Sequence, residues 1–194
     1  MALVLRSACG MKQLGQRWVN AIKKSDNIAD WVPYVSEIGK GSRMKYALDK
    51  RSGQLVVHRA MADGIVYPTN YGFIPKTKSS ADGMELDLMA ISTEPLLPLT
   101  VAHVRLIGGC TINCGDDSGS EDKLLGTVIG DPDVVGILDI GDVDKKLKAK
   151  IEEFFDTYKD DEGVPVKVEG WFDRLTAVAK VKAGIRAAKK SRKS

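Results

Sequence analysis

Asp82-Gly83-Met84-Glu85-Leu86-Asp87-Leu88-Met89-Ala90-Ile91 joins a polar turn to an apolar run that holds a single acid, Asp87. The run from Leu86 to Ile91 reads as a strand, and the glycine-containing turn before it sets two aspartates five residues apart at its entrance. Carboxylates placed this way can converge on a hard cation such as Mg²⁺, which takes oxygen ligands and commonly bridges to substrate phosphate.

Outward from this stretch the chain is mostly short strands. It becomes strand-like from about Trp31, and Met44–Leu48 and Gln54–Arg59 flank the turn cluster Asp49-Lys50-Arg51-Ser52-Gly53, the pattern of a hairpin. Tyr67 to Pro75, rich in Pro, Asn, Gly and aromatics, reads as an ordered loop. Val101–Ile107 follows as a strand that Cys110–Asn113 extends, and Gly115 to Lys123 reads as a polar loop without an apolar residue. Leu124–Ile129 and Val134–Asp139 are expected as further short strands. Asp142 is placed as the N-cap of a helix whose face carries Val143, Leu147, Ile151, Phe154, Phe155 and Tyr158. A second helix follows Gly170-Trp171 with Leu175, Val178, Val181 and Ile185. Close-set strands with two late helices predict an α+β fold, a small barrel with helices packed on it.

At 194 residues, with 43% hydrophobic and 28% charged residues, the chain suits one globular domain with a real core. No apolar run approaches the ~18 residues of a membrane span, so a soluble protein is expected. The three cysteines, Cys9, Cys110 and Cys114, suggest no disulfide framework, and Cys110 and Cys114 read as small buried hydrophobes rather than zinc ligands. The net charge of +3 is unevenly spread: Arg6, Lys12, Arg17, Lys23 and Lys24 stand without an acid in residues 1–25, and Arg186, Lys189, Lys190, Arg192 and Lys193 close the chain. We divide it into a basic segment (1–30), a domain (31–185) and a basic tail (186–194). The basic start, with Leu3, Leu5, Leu14, Trp18, Val19 and Ile22 among its charges, suits a mitochondrial targeting sequence or a docking helix.

Acids, cations and phenols recur at strand ends and in polar loops. The acids are Glu37, Asp82, Asp87, Asp116 and Glu121; the cations are Lys45, Arg59, Lys123 and Lys159; the phenols are Tyr71 and Tyr158. Carboxylates for Mg²⁺ and Lys, Arg and Tyr for phosphate oxygens are what phosphoanhydride hydrolysis requires.

From roughly Val35 to Ile185 the chain resembles a family I soluble inorganic pyrophosphatase. The resemblance is carried by Met44-Lys45-Tyr46, Asp49-Lys50-Arg51-Ser52-Gly53, Tyr67-Pro68-Thr69-Asn70-Tyr71-Gly72-Phe73-Ile74 and Asp82-Gly83…Asp87. Downstream it continues through Asp116…Glu121-Asp122-Lys123-Leu124, Phe154-Phe155-Asp156-Thr157-Tyr158-Lys159 and Val166-Lys167-Val168-Glu169-Gly170-Trp171. The resemblance implies a five-stranded OB-like barrel with two helices, oligomers and several Mg²⁺ ions. It implies metal ligands at Asp82, Asp87, Asp116 and Glu121, with Glu37 serving a late-binding ion. It implies pyrophosphate contacts from Lys45, Arg59, Tyr71, Lys123, Tyr158 and Lys159.

Three positions depart from the family pattern. Met84 stands where an aspartate helps deprotonate the attacking water, Ala47 where a glutamate is expected, and Glu121 (or Asp122, if the loop slips by one) where an aspartate binds metal. A thioether cannot accept a proton, and loss of a positioned base costs roughly 10²–10⁴-fold in rate. Glu85 next door points to the opposite side of an extended chain. The sequence therefore supports a Mg²⁺-dependent diphosphatase impaired by Met84 and Ala47, or a catalytically inactive subunit of a larger mitochondrial complex. Nucleic acid is a lesser partner, because 6% aromatic residues leave few stacking platforms.

Overall fold

The computed structural model describes residues 14–115 and 119–191. A short helix α1 (Leu14–Ala21) precedes strand β1 (Val32–Ile38), the hairpin β2 (Met44–Asp49) and β3 (Gln54–Ala60), then β4 (Asn70–Ile74) and β5 (Leu86–Ile91). The long strands β6 (Val101–Cys114) and β7 (Gly119–Val128) follow, then helix α2 (Lys145–Thr157), β8 (Val166–Asp173) and helix α3 (Arg174–Ser191). Strand β1 pairs with β4 on one side and β6 on the other, so β1-β4-β5-β7-β6 closes into a ring of five strands. Strand β8 adds to β6 from outside, and β2-β3 forms a separate two-stranded sheet. This is the expected five-stranded OB-like α+β barrel with packed helices.

Strand β5 shows why its sequence is apolar apart from Asp87. It pairs antiparallel with β4 and parallel with β7, and both of its faces are covered. Met89 and Ile91 join the cluster around α2 with Ile151, Phe154 and Phe155, while Leu88 and Ala90 join Ala177, Val178 and Val181 of α3. Alternation therefore sends Asp87 to the α2 side and Leu86 to the α3 side. Strand β7 is split the same way, with Leu125 in the α2 cluster and Leu124 in the α3 cluster.

Several local expectations are corrected. Residues 70–74 are a strand, because Asn70 and Gly72 serve tertiary contacts that replace apolar side chains. A Cβ on Gly72 would lie 1.9 Å from the Val35 carbonyl oxygen, so only glycine lets β4 approach β1. Residues 119–123 belong to β7, not to a loop. The expected strand at Val134–Asp139 is a 3₁₀ turn at Pro132–Val134, capped by Asp131 and started by proline, with a second at Ile140–Asp142. Helix α2 is capped by Asp144, whose carboxylate accepts from Lys146 N at 2.6 Å, whereas Asp142 accepts from Leu138 N and Asp139 N. In α3, Leu175 faces solvent and the buried face runs through Ala177, Val178, Val181 and Gly184. Helix α1 buries Val19 against Val35, Leu48 and Phe73, while residues 1–13 and 192–194 of the basic ends lie outside the described residues. Cys110 and Cys114 are both buried. None of the described helices is long and apolar enough to cross a membrane.

Candidate active site

The site forms where β5 and β7 send their α2-facing residues past the end of the apolar core. Asp87 on β5 and Glu121 and Lys123 on β7 share that face. Lys123 Nζ lies 2.5 Å from Asp87 Oδ2 and 2.6 Å from Glu121 Oε2. Asp122 points the other way, to Thr111 Oγ1 at 3.0 Å and Lys180 Nζ at 2.6 Å on α3. Strand geometry thus selects Glu121 over Asp122 as the carboxylate beside Asp87. Asp82, Asp87, Glu121 and Lys123 line one cavity of about 260 Å³ together with Glu85, Lys180 and Asp122, so Asp122 borders the same cavity although its carboxylate pairs with Lys180. Asp82 holds its turn by accepting from Met84 N at 2.9 Å. Asp116 lies outside the described residues.

Two bulges aim further candidates. In β1 the register with β4 slips between Ser36 and Ile38, leaving Glu37 as the inserted residue. Its Oε1 accepts from Leu48 N at 2.7 Å, and burial pushes its carboxyl up to about 7, helped by the charges of Asp87 and Glu85 and opposed by the Leu48 hydrogen bond and Lys50. In the hairpin, Lys45 and Arg59 pair directly, next to a slip that bulges His58. Lys45 is pushed down, first by burial and then by the Arg59 charge, with Lys123 adding a third cation. A lysine held down by two neighbouring cations stands where an anion would be welcome.

The phenols complete this face. Tyr71 on β4 is held well above the usual phenol range by burial and by the Asp87 carboxylate it faces, and Tyr158 is raised by burial, so both remain proton donors. Tyr158 caps α2, its ring centroid 5.6 Å from Phe154 and 5.5 Å from Phe155. Lys159 Nζ lies 5.8 Å from the Tyr158 ring centroid. Glu37, Lys45, Arg59, Tyr71, Tyr158 and Lys159 do not line that cavity.

Lys50, Asp161 and Glu162 escaped the sequence reading, and Glu85, expected to point away, lines the cavity with Asp87. Lys50 forms a half-buried ion pair with Glu85 and lies 4.8 Å from the Phe73 ring centroid. Glu85 thereby lies on the Glu37–Asp87 side, while Met84 is 56% exposed. Asp161 and Glu162, in a 3₁₀ turn after α2 (Asp160–Glu162), close over Arg59. The Asp-Asp-Glu run directly after Tyr158-Lys159 was the available signal for that turn.

Barrel and site together define an OB-like α+β protein with a mixed carboxylate and ammonium pocket. Residues 34–189 match the family model described as inorganic pyrophosphatase. The inorganic pyrophosphatase of Thermus thermophilus is 38% identical over 170 residues, spanning 86% of this chain and 95% of that protein. A Helicobacter pylori inorganic pyrophosphatase is 40% identical over 162 residues, spanning 82% and 92%. The crystal structure of the Thermus thermophilus enzyme superimposes with a TM-score of 0.82 at 37% identity, covering 88% of this chain and 98% of that one. This chain belongs to the inorganic pyrophosphatase family.

Proposed function

We propose that the protein hydrolyses inorganic pyrophosphate to two phosphates with Mg²⁺ as cofactor. The observation that supports this is that Lys45, paired with Arg59 across the hairpin, feels the charges of Lys123 and Asp87, while Lys123 is ion-paired with Asp87 and Glu121. Lys45, Arg59, Lys123 and Lys159 neutralise phosphate oxygens, and Tyr71 and Tyr158 donate phenolic hydrogen bonds to them. Burial keeps both phenols protonated, so the donors are fixed before substrate arrives.

Asp82, Asp87, Glu121 and Glu37 would hold Mg²⁺, with Asp116 as a further ligand. The set is purely oxygen donors, which suits a hard cation, and two of its members already share a cation in the form of Lys123. Among the described residues no three acids close on one point. When bound, the metal lowers the pKa of the attacking water and offsets charge on the phosphates. Around it, Lys123 keeps Asp87 and Glu121 in register, and Glu37 fixes the bulge through Leu48.

Turnover is reduced because Met84 supplies no carboxylate and Ala47 carries none into the site. Those two residues also favour the second reading, an inactive subunit or scaffold of a larger mitochondrial complex. Phosphate release from pyrophosphate by the purified chain with Mg²⁺ decides between them. Turnover above ~1 s⁻¹ in the unmodified protein, within the usual enzyme range, removes the scaffold reading, and activity that appears only after Met84→Asp with Ala47→Glu removes the enzyme reading. A fluorescent reporter fused to residues 1–25 tests the mitochondrial address.

A further inference from the structure

Arg59, the cation opposite Lys45, is already engaged. Its Nη1 donates to both oxygens of Asp161, at 2.8 and 2.7 Å, and Nη2 donates to the Tyr158 carbonyl. Its Nε faces Glu162 Oε1 at 3.0 Å, an ion pair without hydrogen-bond geometry. A guanidinium presents its donors as a planar fork that matches carboxylate and phosphate alike. The Asp161 carboxylate therefore occupies the position in which a phosphate would be recognised.

We propose that Asp161 and Glu162 are an internal anion that occupies Arg59 in the absence of substrate, so that pyrophosphate binds by displacing an acidic turn. This rests on the assignment of Arg59 to the pyrophosphate site. Burial decides which partner moves. The Arg59 side chain is 15% exposed, against 42% for Asp161 and 41% for Glu162, so the acids swing into water while the guanidinium stays. The turn is a single 3₁₀ unit ending at Gly163, whose φ of 69° gives it a left-handed stop. Asp160, Asp161 and Glu162 are consecutive like charges, and Arg59 is the counter-ion that two of them share. Once phosphate takes Arg59, their mutual repulsion opens the turn. Because Tyr158 and Lys159 lead directly into it, arrival of the anion also releases the residues assigned to its other oxygens.

The test is calorimetric titration of the intact chain with imidodiphosphate in Mg²⁺ buffer, comparing the unmodified protein with Asp161→Asn, Asp161→Asn/Glu162→Gln and Asp160→Asn. Asp160→Asn removes the same charge from the same turn without removing an Arg59 ion pair. The expected result is binding about three- to tenfold tighter for the Asp161 variants, with Asp160→Asn within about twofold of the unmodified protein. In an Arg59→Ala background the gain disappears. Equal or weaker binding by the Asp161 variants, or an equal gain from Asp160→Asn, overturns the proposal. Phosphate release from pyrophosphate, assayed on the same samples, reports the hydrolytic reading separately: tighter imidodiphosphate binding without turnover leaves the displaced turn standing and removes only hydrolysis.

Discussion

Lys123 Nζ lies 2.5 Å from Asp87 Oδ2, which places an ammonium between the carboxylates of two adjacent parallel strands. Burial alone would drive this lysine toward neutrality. The Tyr71, Asp87 and Glu121 groups more than offset it and hold the ammonium well above its ordinary value. In Lys123→Met, Asp87 and Glu121 face each other with no cation. Since they remain 32% and 21% exposed, the loss should stay below that of a fully enclosed pair, at ~1–3 kcal/mol in urea unfolding with EDTA. Mg²⁺ should restore more stability to this variant than it adds to the unmodified protein, because it supplies the missing positive charge. An unchanged urea midpoint in EDTA would show that the ammonium is not what holds these strands' acids together.

Glu37 makes the fold itself pH-dependent. Its carboxyl is raised from 4.5 to about 7, chiefly by burial. The folded state therefore binds this proton more tightly than the unfolded state, and stability from this group is fully present below 4.5 and lost as pH rises to about 7. Glu37→Gln keeps an oxygen for Leu48 N and carries no charge. In EDTA it should match the unmodified protein at pH 4 and exceed it by about 1–3 kcal/mol at pH 8. A gain of equal size at both pH values would assign the effect to packing rather than ionisation.

The barrel was legible where strands carry their own signal. Leu86–Ile91 is apolar because both its faces are buried, and the hairpin is marked by the Asp49-to-Gly53 turn. Strand β4 was not legible, because Asn70 and Gly72 are chosen for contacts with distant backbone. The start of β7 reads as a loop because its polar residues alternate between ion pairs, Glu121 with Lys123 and Asp122 with Lys180 of α3. Of the site, the resemblance supplied the residue types, and the structure added directions: Glu121 inward, Asp122 outward, Met84 to solvent. Asp161 could not be paired with Arg59 from sequence, since 102 residues separate them.

Asn70 shows how a polar residue can be a fold determinant. Its side-chain oxygen accepts from Lys40 N at 3.0 Å and Leu96 N at 2.7 Å. Its nitrogen donates to the Ala90 carbonyl at 3.1 Å and Ser92 Oγ at 2.8 Å. All four hydrogen-bonding positions of the amide are used, tying β4 to two loops and to β5. Asn70→Ala should cost ~1–3 kcal/mol, because it strands the buried Ala90 carbonyl and two part-buried backbone N–H groups. Asn70→Asp keeps the acceptor and loses the donors, so its thermal midpoint should fall between the two. Identical midpoints for all three proteins would remove the network as a source of stability.

Restoring the acids separates chemistry from folding. Met84 is 56% exposed and Ala47 lies exposed on β2, so Met84→Asp with Ala47→Glu should alter stability by no more than about 0.5 kcal/mol. Phosphate release should nevertheless rise by about 10²-fold, at the lower end of what a positioned base contributes. Glu85 does not fill the role in the unmodified chain, because Lys50 holds its carboxylate in a half-buried ion pair next to Phe73. Glu85→Gln should therefore change turnover far less than Met84→Asp does. A collapse of activity in Glu85→Gln, with no gain from Met84→Asp, would instead make Glu85 the acid on which the reaction depends.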